Sequence, residues 1–233
     1  DPNAKNMKEQ TPLHVVLRAW NGQVTAVVKM LLHFEANVTL PDKTFKYKKK
    51  PEWTWIGGPL HLACVQPPSD ESSTVAKMLL DGKAHVDEYC TQFKCEGSKC
   101  EGSTVTMLLP LHVAAGSDNA DVVRLLVKAR AAVGQKSLHE TEDTEHFTAL
   151  HEAAYFGNLE STRALLDERA DPNAKNLNEQ TALHVVLRAW NGQVTEVVRM
   201  LLESKADVTL RDYTFRYKKK PEWTWIGGPL HLA

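Results

Sequence analysis

Four residues of types that can bind metals stand five apart in one stretch of this chain: His85, Cys90, Cys95 and Cys100, within HVDEYCTQFKCEGSKCEGS (85–103). Thiolate and imidazole are the ligands zinc prefers, and three cysteines with one histidine complete a closed tetrahedral shell. The even spacing, however, is a poor match to the paired ligands of zinc ribbons. A disulfide within the loop uses the same residues in an oxidising compartment, and free thiols are the third reading. The disulfide and free-thiol readings stand ahead of the metal, and no cofactor is expected. Cys64, beside Ala63, reads as a small buried core residue.

A second group has the makings of an interaction surface. TFKYKKKPEWTWI (44–56) alternates aromatic and polar residues in two runs separated by KKP, a hairpin pattern of period two. Pairing of the runs places Phe45, Tyr47, Trp53 and Trp55 on one face and Thr44, Lys46, Lys48, Glu52, Thr54 and Ile56 on the other. Lys48, Lys49 and Lys50 fall near the tip. The group returns later as Phe215, Tyr217, Lys218, Lys219, Lys220, Trp223 and Trp225. Such aromatics either pack on the neighbouring structure, with the lysines solvated, or anchor a protein partner, since large rigid side chains beside cations dominate interfaces. Stacking on nucleic acid is the remaining chemistry. A net charge of −1 argues against it. Protein is therefore the expected partner, other copies of the same chain included.

Other chemistry is sparse. Neither a Gly-rich phosphate loop, a nucleophile elbow nor HExxH occurs, so no enzyme is expected. QKSLHETEDTEH (135–146) is acidic and reads as a solvated loop that could meet the basic hairpin of a neighbouring chain. Asn37-Val38-Thr39 is a glycosylation sequon, but its counterpart is Asp207-Val208-Thr209, and Asn is also a natural turn residue here.

The elements that carry these groups follow from repetition. Residues 171–233 restate residues 1–63 with twelve differences, leaving fifty-one positions identical. A shorter period lies inside this one. TPLH, GPLHLA, LPLHVAA and TALHEAA, then TALH and GPLHLA, place His14, His61, His112, His151, His184 and His231 at intervals of 47, 51, 39, 33 and 47. Four short units make one 170-residue unit. After each histidine comes an apolar stripe such as Val24, Val27, Val28, Leu31 and Leu32, whose spacing puts it on one helix face. A small residue and a turn follow: EANV, KAHV, RAAV, RADP and KADV. His85 sits in this turn, which gives it a structural reason to be there.

TALHEAAYFGNLESTRALLDERADPN (148–173) resembles the ankyrin repeat, whose pattern is T-P-L-H-x-A with a period of 33 residues. The resemblance recurs in register over the whole chain. It implies an all-α solenoid of stacked helix-turn-helix units, with the excess length of the first three repeats (14, 18 and 6 residues) falling in elongated β-hairpin fingers. It also implies that each PLH histidine ties one loop to the next by bonding neighbouring backbone. Thr at the helix start is replaced by Gly58, Gly228 and Leu109, so those starts are less well capped.

Organisation and function come as expectations. Residues 1–233 read as a single solenoid and a fragment of a longer array, with 1–170 the first long unit and 171–233 the start of the second. Composition is that of an ordinary folded chain, 42% hydrophobic and 24% charged, without an apolar run long enough for a membrane span. The resemblance implies a non-catalytic scaffold for protein–protein contacts through finger and inner-helix surfaces. It places the chain inside the cell by default, or outside if the loop cysteines are oxidised. The alternative is a structural segment of a tandem array that forms or stiffens a filament, because surface positions such as Lys48–Lys50 and Trp53 are repeated along with the core.

Overall fold

The computed structural model describes residues 1–7, 9–47, 50–94, 105–139, 146–189 and 193–211, and the backbone alone for 42–47, 50–56, 92–94, 105 and 139. Within them the chain runs as helix pairs joined by outward fingers. The inner helices are α1 (Pro12–Ala19), α3 (Pro59–Cys64), α5 (Pro110–Gly116), α7 (Ala149–Phe156) and α9 (Ala182–Ala189). Each is followed by its outer partner: α2 (Val24–His33), α4 (Asp70–Asp81), α6 (Ala120–Lys128), α8 (Leu159–Asp167) and α10 (Val194–Glu203). No described helix is long and apolar enough to cross a membrane.

These helices are too short to persist alone, so packing must hold them. The inner helices stack in sequence order, α1 on α3, α3 on α5, α5 on α7 and α7 on α9, and the outer helices stack alongside. Leu13, Leu17, Val28, Leu79, Leu111, Leu126, Leu150, Leu165, Leu183 and Leu201 are buried in one continuous seam. The PLH segments stand side by side, as the solenoid reading requires.

Each outer helix ends the same way. Ala36, Ala84, Ala131, Ala170 and Ala206 donate their N–H to the carbonyl five residues back, at 2.9 Å in every case. The preceding residue donates to the carbonyl three back, which completes a Schellman motif. That residue must adopt a left-handed conformation, and it is a long side chain each time: Glu35, Lys83, Arg130, Arg169 and Lys205, with φ from 62° to 72°. The alanine after it is buried, which explains the small residue in the motif.

The histidines join one repeat to the next. Nε2 of His14, His61, His112 and His151 lies 2.8, 2.9, 2.9 and 2.9 Å from the carbonyls of Leu40, Glu88, Phe147 and Gln180. A carbonyl only accepts, so Nε2 carries the proton and Nδ1 is the acceptor. The helix-start threonine supplies the donor: Thr11, Thr148 and Thr181 place Oγ1 2.7, 2.8 and 2.9 Å from Nδ1 of His14, His151 and His184. The tie was implied by the family resemblance, and the structure shows it. Outer-helix contacts add to the coupling: the Glu71 carboxylate accepts from the N–H and hydroxyl of Thr25, and Asp118 Oδ1 from the Ser161 N–H at 2.8 Å.

Candidate interaction surface

The first three fingers join in a single sheet. Strands β1 (Asp42–Tyr47) and β2 (Lys50–Gly57) belong to the first finger, β3 (Cys90–Lys94) and β4 (Val105–Leu108) to the second, and β5 (Leu138–His139) to the third. All neighbours are antiparallel in the order β1-β2-β3-β4-β5. The period-two pattern signalled the first hairpin, but the strands of the second finger and the edge-to-edge joining of successive fingers were not read from the sequence. Stacking brings repeats to helix–helix spacing of about 8–10 Å, close to the width of two strands, so neighbouring fingers of sufficient length meet.

Register places part of the aromatic group as the alternation predicts. Phe45 pairs with Trp55 and Lys46 with Thr54. Across the finger boundary Trp55 pairs with Gln92 and Trp53 with Lys94. Gln92 pairs with Thr106, and Thr106 with His139. One cross-strand row therefore runs Phe45–Trp55–Gln92–Thr106–His139. Beyond Lys46 the ladder is not continuous. Tyr47 pairs with Lys50 after a register shift, so β2 starts at Lys50, and Lys50-Pro51 belongs to the strand, not to a separator between the runs. A bulge twists the strand it sits in and re-aims the side chains beyond it. Lys48, Lys49, Phe215, Tyr217, Trp223 and Trp225 lie outside the described residues.

The sheet is rooted in a tightly packed row. Cys90 pairs with Leu108, and both are buried. Gly57 lies against Cys90: a Cβ at Gly57 would stand 2.8 Å from the Cys90 Cβ and 3.2 Å from the His61 Cβ. The close approach requires glycine. The fourth finger, by contrast, has no strand. Its turn is closed on itself by Asn176 and Gln180, whose backbone and side chains exchange three hydrogen bonds of 2.9–3.1 Å, and residues 6 and 10 repeat that lock.

The candidate metal ligands separate. His85 is exposed at a turn, whereas Cys90 is fully buried at the root of β3. No group of three or more metal-binding side chains forms among the described residues, and Cys95 and Cys100 lie outside them. Cys64 and Cys90 are both free and buried. Burial raises both thiols, Cys90 to about 12, so neither ionises near neutral pH and both pack as inert apolar groups. The expectation for Cys64 holds. The described start of the third insertion is not a solvated loop: β5 pairs with β4, Ser137 is fully buried, and Lys136 bridges to Thr148. Asn37 Oδ1 accepts from the N–H and hydroxyl of Thr39, the turn role its type suggested.

His61 lacks the threonine that His14, His151 and His184 have beside them: Gly58 brings no hydroxyl, and the buried Nδ1 has no hydrogen-bond partner. Desolvation lowers its pKa to about 4 against the smaller opposing effect of backbone hydrogen bonds. His151 is lowered to about 4 chiefly by the same burial.

The sequence matches the family model described as "Ankyrin repeats (3 copies)" over residues 90–176 and 111–212, and the single ankyrin repeat over residues 8–43. Among curated proteins, 110 residues (47% of this chain) are 31% identical to a transient receptor potential cation channel subfamily A member 1 homolog of Caenorhabditis elegans, covering 8% of that protein. The human transient receptor potential cation channel subfamily A member 1 is 34% identical over 101 residues, 43% of this chain and 8% of its own length. The ankyrin repeat and SOCS box protein 3 of Bos taurus is 35% identical over 75 residues, 32% of this chain and 14% of its own. The chain thus spans about a tenth of the length of these relatives.

Proposed function

We propose, from the premise that this chain belongs to the ankyrin-repeat family, that it is a non-catalytic scaffold whose joined fingers hold a protein partner. Ankyrin repeats generally mediate protein–protein contacts. The observation that carries the reading is the cross-strand row Phe45–Trp55–Gln92–Thr106–His139 on a sheet built from three successive fingers. A sheet spanning several repeats is a broad, rigid platform, and rigidity lowers the ordering cost of binding. Residues 42–56 carry five lysines against two acids, so the partner surface is acidic with apolar pockets. The channel activity of two relatives belongs to proteins of which this chain matches about a tenth, and is not carried over.

The test is affinity capture on the immobilised chain, with partners identified by mass spectrometry and mapped by cross-linking. The expected result is one stoichiometric protein, cross-linked to finger lysines and lost with Trp53→Ala plus Trp55→Ala while helical circular dichroism stays unchanged. Retention of that partner by the double variant contradicts the reading.

A second reading, a segment that forms or stiffens a filament, is favoured by one observation. The duplication preserves Lys48–Lys50 and Trp53 as Lys218–Lys220 and Trp223, so the same finger chemistry recurs every 170 residues. Regular filaments of the purified chain in electron micrographs, without added partner, support it; dispersed particles at all concentrations contradict it.

A further inference from the structure

The five-stranded sheet ends differently on its two sides. Beyond β5 the third finger's own return limb comes back: the Ser137 N–H donates to the Phe147 carbonyl at 2.7 Å, Ser137 Oγ accepts from the Phe147 N–H at 2.9 Å, and Lys136 bridges to Thr148. Beyond β1 no described strand follows, and β1 pairs with β2 alone. The neighbour on that side is the finger before α1, which belongs to the described chain. Asn6 and Gln10 close it on itself, as Asn176 and Gln180 close its counterpart, and neither turn contributes a described strand. Its root is fixed as well. Asn3 donates from Nδ2 to the Glu35 carbonyl at 3.2 Å and accepts the Asn37 N–H at 2.6 Å. Asn173 holds Lys205 and Asp207 in the same way, at 3.1 and 2.7 Å, with the α7–α8 repeat in place before it. The bare edge of β1 is therefore a product of the repeat pattern: a six-residue strand beside a finger locked too short to pair with it.

We infer that this edge of β1 takes up an extended acidic segment of a partner protein, which adds to the sheet as a further strand. The inference rests on the scaffold reading and says where and how the partner is held. An edge strand presents a row of backbone N–H and C=O groups, and peptide-binding folds use such rows for main-chain pairing. Charge decides the occupant. Of residues 42–47 and 50, Lys43, Lys46 and Lys50 are cationic and Asp42 alone is anionic. Like charges directly opposite one another destabilise a strand pair. The lysines thus keep this edge from pairing with the same edge of a second copy, a protection common on edge strands. The same charges favour a strand rich in Glu or Asp. Because the pairing groups are backbone, the segment must be extended, negatively charged and able to donate its amides, and it need not have one fixed sequence.

The experiment titrates the purified full chain with a fluorescently labelled peptide of alternating valine and glutamate, followed by anisotropy, and reads hydrogen exchange over residues 42–47. The expected result is saturable binding that weakens with salt and slows exchange of the β1 amides. The same peptide N-methylated throughout keeps its charge but cannot donate, and should bind at least about tenfold more weakly. A peptide with lysine in place of glutamate should not bind. Lys43→Glu plus Lys46→Glu should weaken binding at least about tenfold with circular dichroism unchanged. The peptide controls use the unaltered chain, so they decide the matter even where that variant misfolds. Equal binding of the N-methylated or the lysine peptide, unchanged exchange over β1 at saturation, or no binding of the acidic peptide would each overturn the inference. So would self-association through residues 42–47 in place of peptide binding. The scaffold reading fails separately: a captured partner kept by Trp53→Ala plus Trp55→Ala contradicts that reading, whereas a captured partner without acidic-peptide binding contradicts the edge alone.

Discussion

At the level of single residues, the recurring histidine is a structural tie whose strength depends on its neighbour three positions earlier. Thr11, Thr148 and Thr181 satisfy Nδ1, while Gly58 leaves it unpartnered beside His61. Gly58 has φ −80° and ψ 174°, a conformation threonine adopts freely, and the nearest atom to a Cβ there is the Leu40 carbonyl oxygen at 3.9 Å. Gly58→Thr should therefore stabilise the fold by about 1 kcal/mol, as helix-start caps do, seen as a higher urea midpoint; an unchanged or lower midpoint counts against the cap. Burial of the ties also sets a pH dependence. His61 and His151 are neutral when folded, with pKa values lowered to about 4, and bind protons near 6.5 once unfolded. The unfolded chain takes up more protons between these values, so the stability they contribute is whole above pH 6.5 and is lost as pH falls toward 4. It amounts to something on the order of 3 kcal/mol each. Urea midpoints at pH 7 and pH 4.5 should differ accordingly, and a flat profile contradicts the assignment. The threonine-to-glycine exchange was plain in the sequence. That it orphans a ring nitrogen was not, because the orphan depends on what the fold places around His61.

The elements show why some features were legible and others were hidden. A stripe of period 3.6 marks each outer helix because only one face is buried, and all five expected helices form. The end of each helix was visible only as a small residue before a turn. The geometry shows that the alanine is small because it is buried, and that the position before it is left-handed. A non-glycine residue in that conformation costs about 1 kcal/mol. Lys83→Gly, at φ 67°, should recover part of that, about 0.5 kcal/mol after the added freedom of the unfolded chain. Thermal melting reads the change, and a lower transition temperature argues against strain at the cap. The first finger's strands were legible as alternation, but the register shift after Lys46 that pairs Tyr47 with Lys50 was not. A bulge shifts register without altering the pattern of residue types, so alternation alone could not reveal it. β5, two residues long, is too short to carry any pattern.

Across the whole molecule, the repeats act as a linear stack whose longer fingers merge into a sheet and whose shortest, closed by Asn176 and Gln180, adds no strand to it. Period and motif spacing made the stack legible before any geometry. The sheet was not, because it arises from contacts between units that lie about forty residues apart. Everything proposed for the fingers presumes that equivalent points advance in equal steps along one axis. The most direct test is a spin-label ruler. Lys77, Arg124, Arg163 and Arg199 occupy equivalent outer-helix positions, two residues before the buried seam resumes at Leu79, Leu126, Leu165 and Leu201. Labels at 77 paired with 124, 163 and 199 in turn should give distances that rise by about 8–10 Å per repeat, the spacing of packed helices. Distances that fail to grow with repeat separation would contradict the stack.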